Sequence, residues 1–121
     1  MKRDIETRED LENLLREFYH VATLDDKIGH HFAELNLETH LPIIVDFWEK
    51  VLFGEPVYFG NPLAVHQNLH EKSPLLFEHF QRWFEIFSQT VDELFVGKTA
   101  DDTKLRAKMI AHSLNQNLNS N

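Results

Sequence analysis

Cysteine is absent from the 121-residue chain. That excludes disulfide scaffolds, thiolate metal sites and cysteine nucleophiles. No apolar run approaches the length of a membrane span. The opening residues, Met1-Lys2-Arg3-Asp4-Ile5-Glu6, contain no apolar core for a signal peptide. A soluble cytoplasmic protein is therefore expected. Positive charge is scarce: 12 Lys and Arg stand against 20 Asp and Glu, a net charge of −8. A nucleic-acid surface needs a basic stripe, and anionic membranes repel an acidic chain, so neither is an expected partner. No stretch alternates with period two over a useful length, which argues against strands. No internal repeat is visible.

Hydrophobic residues make up 42% of the chain, enough for one packed core, so a single domain over residues 1 to 121 is expected. Trp and Tyr number only two each, yet there are ten Phe and eight His. That composition suits a small helical protein enclosing something flat and apolar that holds a metal.

Apolar spacing places the helices. Leu11, Leu14, Leu15, Phe18, Tyr19 and Ala22 share one helical face over residues 8 to 22, and Thr7 with Asp10 reads as a capping box. Residues 24 to 37 form a connection with a short helical turn near residues 26 to 32. A helix follows over residues 39 to 53, with Thr39 as its cap and Pro42 in its first turn. One stripe on it is Leu41, Ile44, Val45, Trp48 and Leu52; beside it runs a second, His40, Ile44, Phe47 and Val51. Gly60-Asn61-Pro62 opens a short helix over residues 62 to 70, since proline fits a first turn but not a helix interior. Ser73 and Pro74 open the longest helix, residues 74 to 96, with a stripe of Leu76, Phe80, Trp83, Phe87, Val91 and Leu94 broadened by Phe77, Phe84 and Phe95. Gly97 stops it. Thr99 and Asp102 form a second capping-box pattern before a last helix over residues 100 to 118, with Ala107, Ile110, Ala111, Leu114 and Leu118 inward. The long connection between two long helices, residues 53 to 73, holds one short helix, and such connections are usually functional.

Four polar side chains sit on apolar faces of different segments: Tyr19, His40, His66 and Trp83, with Phe32, Ile44 and Phe47 as apolar company. His66 follows Leu63, Ala64 and Val65, so its imidazole emerges from an apolar segment. Such an imidazole serves either as an axial ligand to haem iron or as a core histidine bonded to a backbone carbonyl. A haem pocket needs this set: a neutral imidazole on one side, and hydrogen-bond donors with an apolar wall around a bound diatomic on the other.

The ordered segments Phe18-Tyr19, Ile28-Gly29-His30-His31-Phe32, His40-Leu41-Pro42, Asp46-Phe47-Trp48, Leu52-Phe53-Gly54, Gly60-Asn61-Pro62-Leu63-Ala64-Val65-His66 and His79-Phe80-Gln81-Arg82-Trp83 span most of the chain. Together they resemble the group III truncated haemoglobins. The resemblance implies an all-α truncated globin fold, a two-over-two helical sandwich around haem b. It implies that His66 binds the iron on the proximal side. Tyr19, His40 and Trp83 line the distal side, Phe32 packs against the porphyrin, and Ile44 flanks the ligand. Phe47 joins this wall as a cofactor-binding residue. Where many relatives read Gly-Pro before the pocket phenylalanine, this chain reads Gly29-His30-His31.

The resulting expectation is a haem protein that binds oxygen, nitric oxide and carbon monoxide. Its donors suit nitric oxide dioxygenation or peroxidase-like redox chemistry better than oxygen transport, and turnover requires a separate electron donor. Two other classes are open. One is a non-haem metal enzyme built on His66, His70 and a carboxylate, because histidines four apart share a helical face. The other is a cofactor-free helical interaction module with an aromatic core. His70, Lys72, His79 and Arg82 read as surface groups or as partners of the haem propionates.

Overall fold

Thr7 opens the first helix, α1 (Arg8–Ala22), through the expected capping box. The Asp10 amide donates to Thr7 Oγ1 at 3.2 Å, and the Asp10 carboxylate accepts the Glu6 and Thr7 amides at 2.8 and 3.0 Å. Burial alone would raise the Asp10 carboxyl, but Arg3 and those amides outweigh it and hold it below the ordinary carboxylate value. In this computed structural model, which describes residues 1–119, four further helices follow. They are α2 (Leu37–Phe53), α3 (Pro62–Lys72), α4 (Phe77–Leu94) and α5 (Lys98–Asn119), with a 3-10 turn, Gly29–Phe32, between α1 and α2. No strand occurs among the described residues. None of these helices is long and apolar enough to cross a membrane.

Two helix pairs make the architecture. α1 packs on α2, α4 packs on α5, and α1 against α4 joins the pairs, while α3 leans on α5. Leu11, Leu14, Leu15 and Phe18 of α1 meet Val45 and Trp48 of α2 and Ile86, Phe87 and Val91 of α4 in the core. Phe87 lies at the centre. It stacks on Trp48 and on Trp83, each at 5.2 Å between ring centroids, and meets the edge of Phe18 at 5.6 Å. Burying one such ring stabilises by about 1.5–3 kcal/mol, and offset or edge contacts add about 0.5–1.5 kcal/mol per pair. A smaller cluster of Leu75, Phe80, Ala111 and Leu114 closes the other end of the α4–α5 pair. Arg8 bridges α1 to α2 through Asp46, at 2.7 Å, and Glu49.

Three helix starts differ from the local reading, each because a side chain elsewhere takes the free amides. α2 is capped by Asn36, whose side chain accepts the Thr39 amide at 3.4 Å, so Thr39 is inside the helix and Pro42 sits deeper than its first turn. α4 starts at Phe77 and not at Pro74. The Leu75 amide donates to His70 Nδ1 at 2.9 Å and the Leu76 amide to His79 Nδ1 at 3.0 Å, which holds the chain extended up to Leu76. Leu76, Phe77 and Leu94, expected on the inward stripe, are exposed, and α4 ends before Phe95. α5 starts at Lys98, and its amides at Thr99 and Ala100 donate to the Asp4 carboxylate at 2.9 and 2.8 Å rather than using a Thr99–Asp102 box. Gly97 is required here. Its φ is 143°, and a Cβ would lie 2.5 Å from the Asp4 side chain.

Candidate functional site

Tyr19 of α1, His40 of α2 and Phe32 of the 3-10 turn come together, while His66 stands on α3 and Trp83 on α4. Tyr19 sits on the buried face of α1 and is only 6% exposed. Its Oη lies 3.1 Å from His40 Nε2, one helical turn before Ile44 on α2. The Phe32 ring meets the Tyr19 ring edge-on at 5.6 Å. Burial pushes the Tyr19 phenol up, so it remains protonated. Burial first, and the coulombic influence of His66 second, lowers the His40 imidazole and so favours its neutral form. A neutral imidazole has one N–H. With that proton on Nε2, His40 donates to Tyr19 Oη and leaves the phenol O–H free to point elsewhere; with it on Nδ1, Tyr19 donates to His40.

His66 is carried by α3. Asn61 caps α3 by accepting the Ala64 amide at 3.1 Å, and Pro62 takes the first helical position, as expected. The helix runs two residues beyond the expected end, to Lys72. His66 Nδ1 lies 2.7 Å from the Pro62 carbonyl oxygen. A carbonyl can only accept, so Nδ1 carries a proton, and in the neutral ring Nε2 is the nitrogen left with a free lone pair. The backbone-bonded histidine and the ligand histidine are thus compatible: the carbonyl fixes the tautomer, and the other nitrogen is available.

Ile44, Phe47 and Trp83 are partly buried against the core. Phe47 meets Tyr58 edge-on at 5.3 Å. It also borders a groove of about 410 Å³ with Val51, Pro62, Leu63, Ile110 and Leu114, directly beside the helix that carries His66. Trp83 meets the edge of Phe18 at 5.9 Å and stacks on Phe87, so it is tied to Tyr19 through the Phe18 ring, itself 5.1 Å from Tyr19. Leu63 and Tyr58 were not singled out as site residues by sequence reasoning, although both lie in the breaker-bounded segment that carries His66. A flat apolar group with a metal centre suits the chemistry of this donor set: an imidazole nitrogen on α3, a phenol–imidazole pair between α1 and α2, and partly buried Phe32, Ile44 and Phe47.

Other candidates are engaged elsewhere. Arg82 pairs with Asp25 at 2.9 Å, and Asp25 also accepts the Lys27 and Ile28 amides at 3.0 and 3.1 Å, which orients the approach to the 3-10 turn. His70 and His79 hold the amides before α4, and Lys72 is exposed. No carboxylate joins His66 and His70 in a three-ligand group among the described residues. The 3-10 turn brings a second histidine group together: His31 Nε2 lies 3.3 Å from His79 Nδ1, and His30 flanks both rings. Burial, then the charges of His30 and His79, push His31 down to about 4.

Five helices in two packed pairs, with the His66-bearing α3 against α5, define a globin-type protein. The chain belongs to the bacterial-like globin family, whose model matches residues 4–117. It is 27% identical over 117 residues to the group 3 truncated haemoglobin of Campylobacter jejuni, covering 92% of this chain and 90% of that protein. The crystal structure of the group III truncated haemoglobin from Campylobacter jejuni superposes with a TM-score of 0.87 at 26% identity, covering 99% of this chain and 97% of that one. A Synechococcus 2/2 haemoglobin, crystallised in the cyanomet state with covalently attached haem, matches with a TM-score of 0.81 at 20% identity over 91% and 92% of the two chains. The fold is therefore the truncated two-over-two globin fold. Family membership implies haem binding and small diatomic ligands.

Proposed function

We propose that this chain is a single-domain haem b receptor for oxygen, nitric oxide and carbon monoxide, with His66 Nε2 as the iron ligand. The observation that carries the reading is the His66 imidazole, pinned through Nδ1 to the Pro62 carbonyl at 2.7 Å, which leaves Nε2 for a metal. Haem held there would supply an iron centre able to take a diatomic ligand and to change oxidation state. The residues do the rest. Pro62 holds the His66 tautomer and ring orientation. Tyr19 and His40 share one hydrogen bond and can turn the phenol O–H toward a ligand. Trp83 adds an indole donor, while Phe32, Ile44 and Phe47 exclude water.

With several donors gathered there, a ligand that carries negative charge is held strongly. That retention favours redox chemistry over delivery: nitric oxide dioxygenation to nitrate, or peroxide reduction, with electrons from a separate donor. The absence of cysteine leaves the haem without thioether links.

Reconstitution with haemin tests the assignment. The wild-type ferrous protein should show a strong band at the blue end of the visible. His66→Ala should lose the imidazole-ligated spectrum and regain it with added imidazole, whereas His70→Ala should match wild type. If His66→Ala keeps the wild-type ferrous spectrum while His70→Ala loses it, the iron ligand is the other histidine.

A further inference from the structure

Outside the pocket, the 3-10 turn and the first turn of α4 bring His30, His31 and His79 into one group. Each ring offers a nitrogen, and these atoms all lie within 4.8 Å of one another. The closest pair, His31 Nε2 and His79 Nδ1, is separated by 3.3 Å. That separation matches the edge of a tetrahedron whose metal–nitrogen bonds are about 2.0–2.1 Å long. The rings are grouped to match, with His30 and His31 at 4.0 Å and His31 and His79 at 4.7 Å between centroids. We propose that His30, His31 and His79 form a zinc site with three imidazole ligands and one open position, tethering the 3-10 turn to α4.

The ligand type selects the metal. Three imidazoles with no carboxylate suit a borderline divalent ion such as zinc and disfavour calcium and magnesium, which need oxygen ligands. Ser73 supplies the supporting contact. Its Oγ lies 3.0 Å from His31 Nδ1, so it can accept a proton held on that nitrogen and leave Nε2 for the metal. The turn is placed by the rest of the fold. Gly29 packs so closely on the end of α1 that a Cβ there would lie 2.7 Å from the Thr23 carbonyl oxygen, and Arg82 on α4 grips Asp25 just before the turn. The histidines are thus brought together before any ion arrives. Zinc at His79 Nδ1 displaces the Leu76 amide, whose residue is 44% exposed and can turn that amide to water.

This site is independent of the haem reading, and its test keeps the two apart. Tag-free, haem-loaded protein is titrated with zinc chloride against a chromophoric chelator, with the haem band recorded in parallel. One equivalent should bind and raise the melting temperature, because an ion that binds only the folded state stabilises it. His31→Ala and His79→Ala should abolish that binding, and Ser73→Ala should weaken it by about ten- to a hundredfold. His66→Ala should leave it intact whatever happens to the haem band. His30 is exposed, so His30→Ala provides a ligand deletion that spares the core should the other variants fold poorly; it too should lose at least tenfold in affinity. Absence of a stoichiometric site, or a site unaffected by His30→Ala, overturns the proposal. So does a site lost in His66→Ala and retained in His31→Ala.

Discussion

Replacing Tyr19 by Phe removes one oxygen atom from a buried ring and leaves the packing otherwise unchanged. Two consequences follow from the geometry. The first is on the fold: the 3.1 Å bond to His40 Nε2 is lost. A net hydrogen bond of this kind is worth about 0.5–1.5 kcal/mol. His40 is only partly buried, so water can serve its ring, and the loss belongs at the low end. With a urea slope of about 1–3 kcal/mol/M, the unfolding midpoint should fall by roughly half a molar unit or less. The second consequence is on ligand retention. Tyr19 carries a buried phenol O–H, and a bond from it to a negatively polarised ligand is worth about 1.5–3 kcal/mol. At about 1.4 kcal/mol per tenfold, dioxygen release from the haem-loaded protein should speed up about ten- to a hundredfold. Stopped-flow displacement of dioxygen by carbon monoxide measures this directly. A release rate equal to wild type, with the small stability loss present, refutes the argument: the hydroxyl then serves only His40. His40→Leu separates the roles further, because it frees Tyr19 to donate while removing its partner.

Trp83→Phe should lower dioxygen affinity more than carbon monoxide affinity, since a donor favours the more negative ligand; an unchanged ratio of the two dissociation constants, with reduced stability, makes Trp83 a packing partner of Phe87 alone. Asp4→Ala removes the cap on α5 and should destabilise the fold by about 0.5–2 kcal/mol, read as a lower urea midpoint. Acid sensitivity has a definite sign. For Asp4, Asp10 and Asp25, burial raises the carboxyl, but backbone amides, joined by Arg3 at Asp10 and Arg82 at Asp25, outweigh it and leave each below its ordinary value of 3.8. The stability they provide is present above that value and is lost as pH falls below it through the depressed folded-state values. The urea midpoint should therefore drop below about pH 4, and less steeply in Asp10→Asn; a drop of wild-type steepness in that variant removes Asp10 from the account.

Much of the molecule is set by short-range sequence. Thr7 and Asp10 stand three apart, so the start of α1 follows from neighbours on one helical turn, and both ends of that helix were legible. Asn61-Pro62 likewise places α3 and, with it, His66 and its tautomer, because the Pro62 carbonyl lies one turn away on the same helix. The apolar stripe of α1 set Tyr19 inward, and the second stripe of α2 set His40, Ile44 and Phe47 toward a common side. The remaining features depended on residues far apart in the chain. α5 begins where it does because Asp4, 95 residues from Thr99, supplies its cap. α4 begins late because the imidazoles of His70 and His79 hold the amides before it. The Tyr19–His40 bond and the His30–His31–His79 group each join different elements, at separations of 21 and, for His31–His79, 48 residues. Helical periodicity reports which face a residue occupies. It carries no information on which distant donor or acceptor meets that face, and only the packing of α1, α2 and α4 against one another determines that.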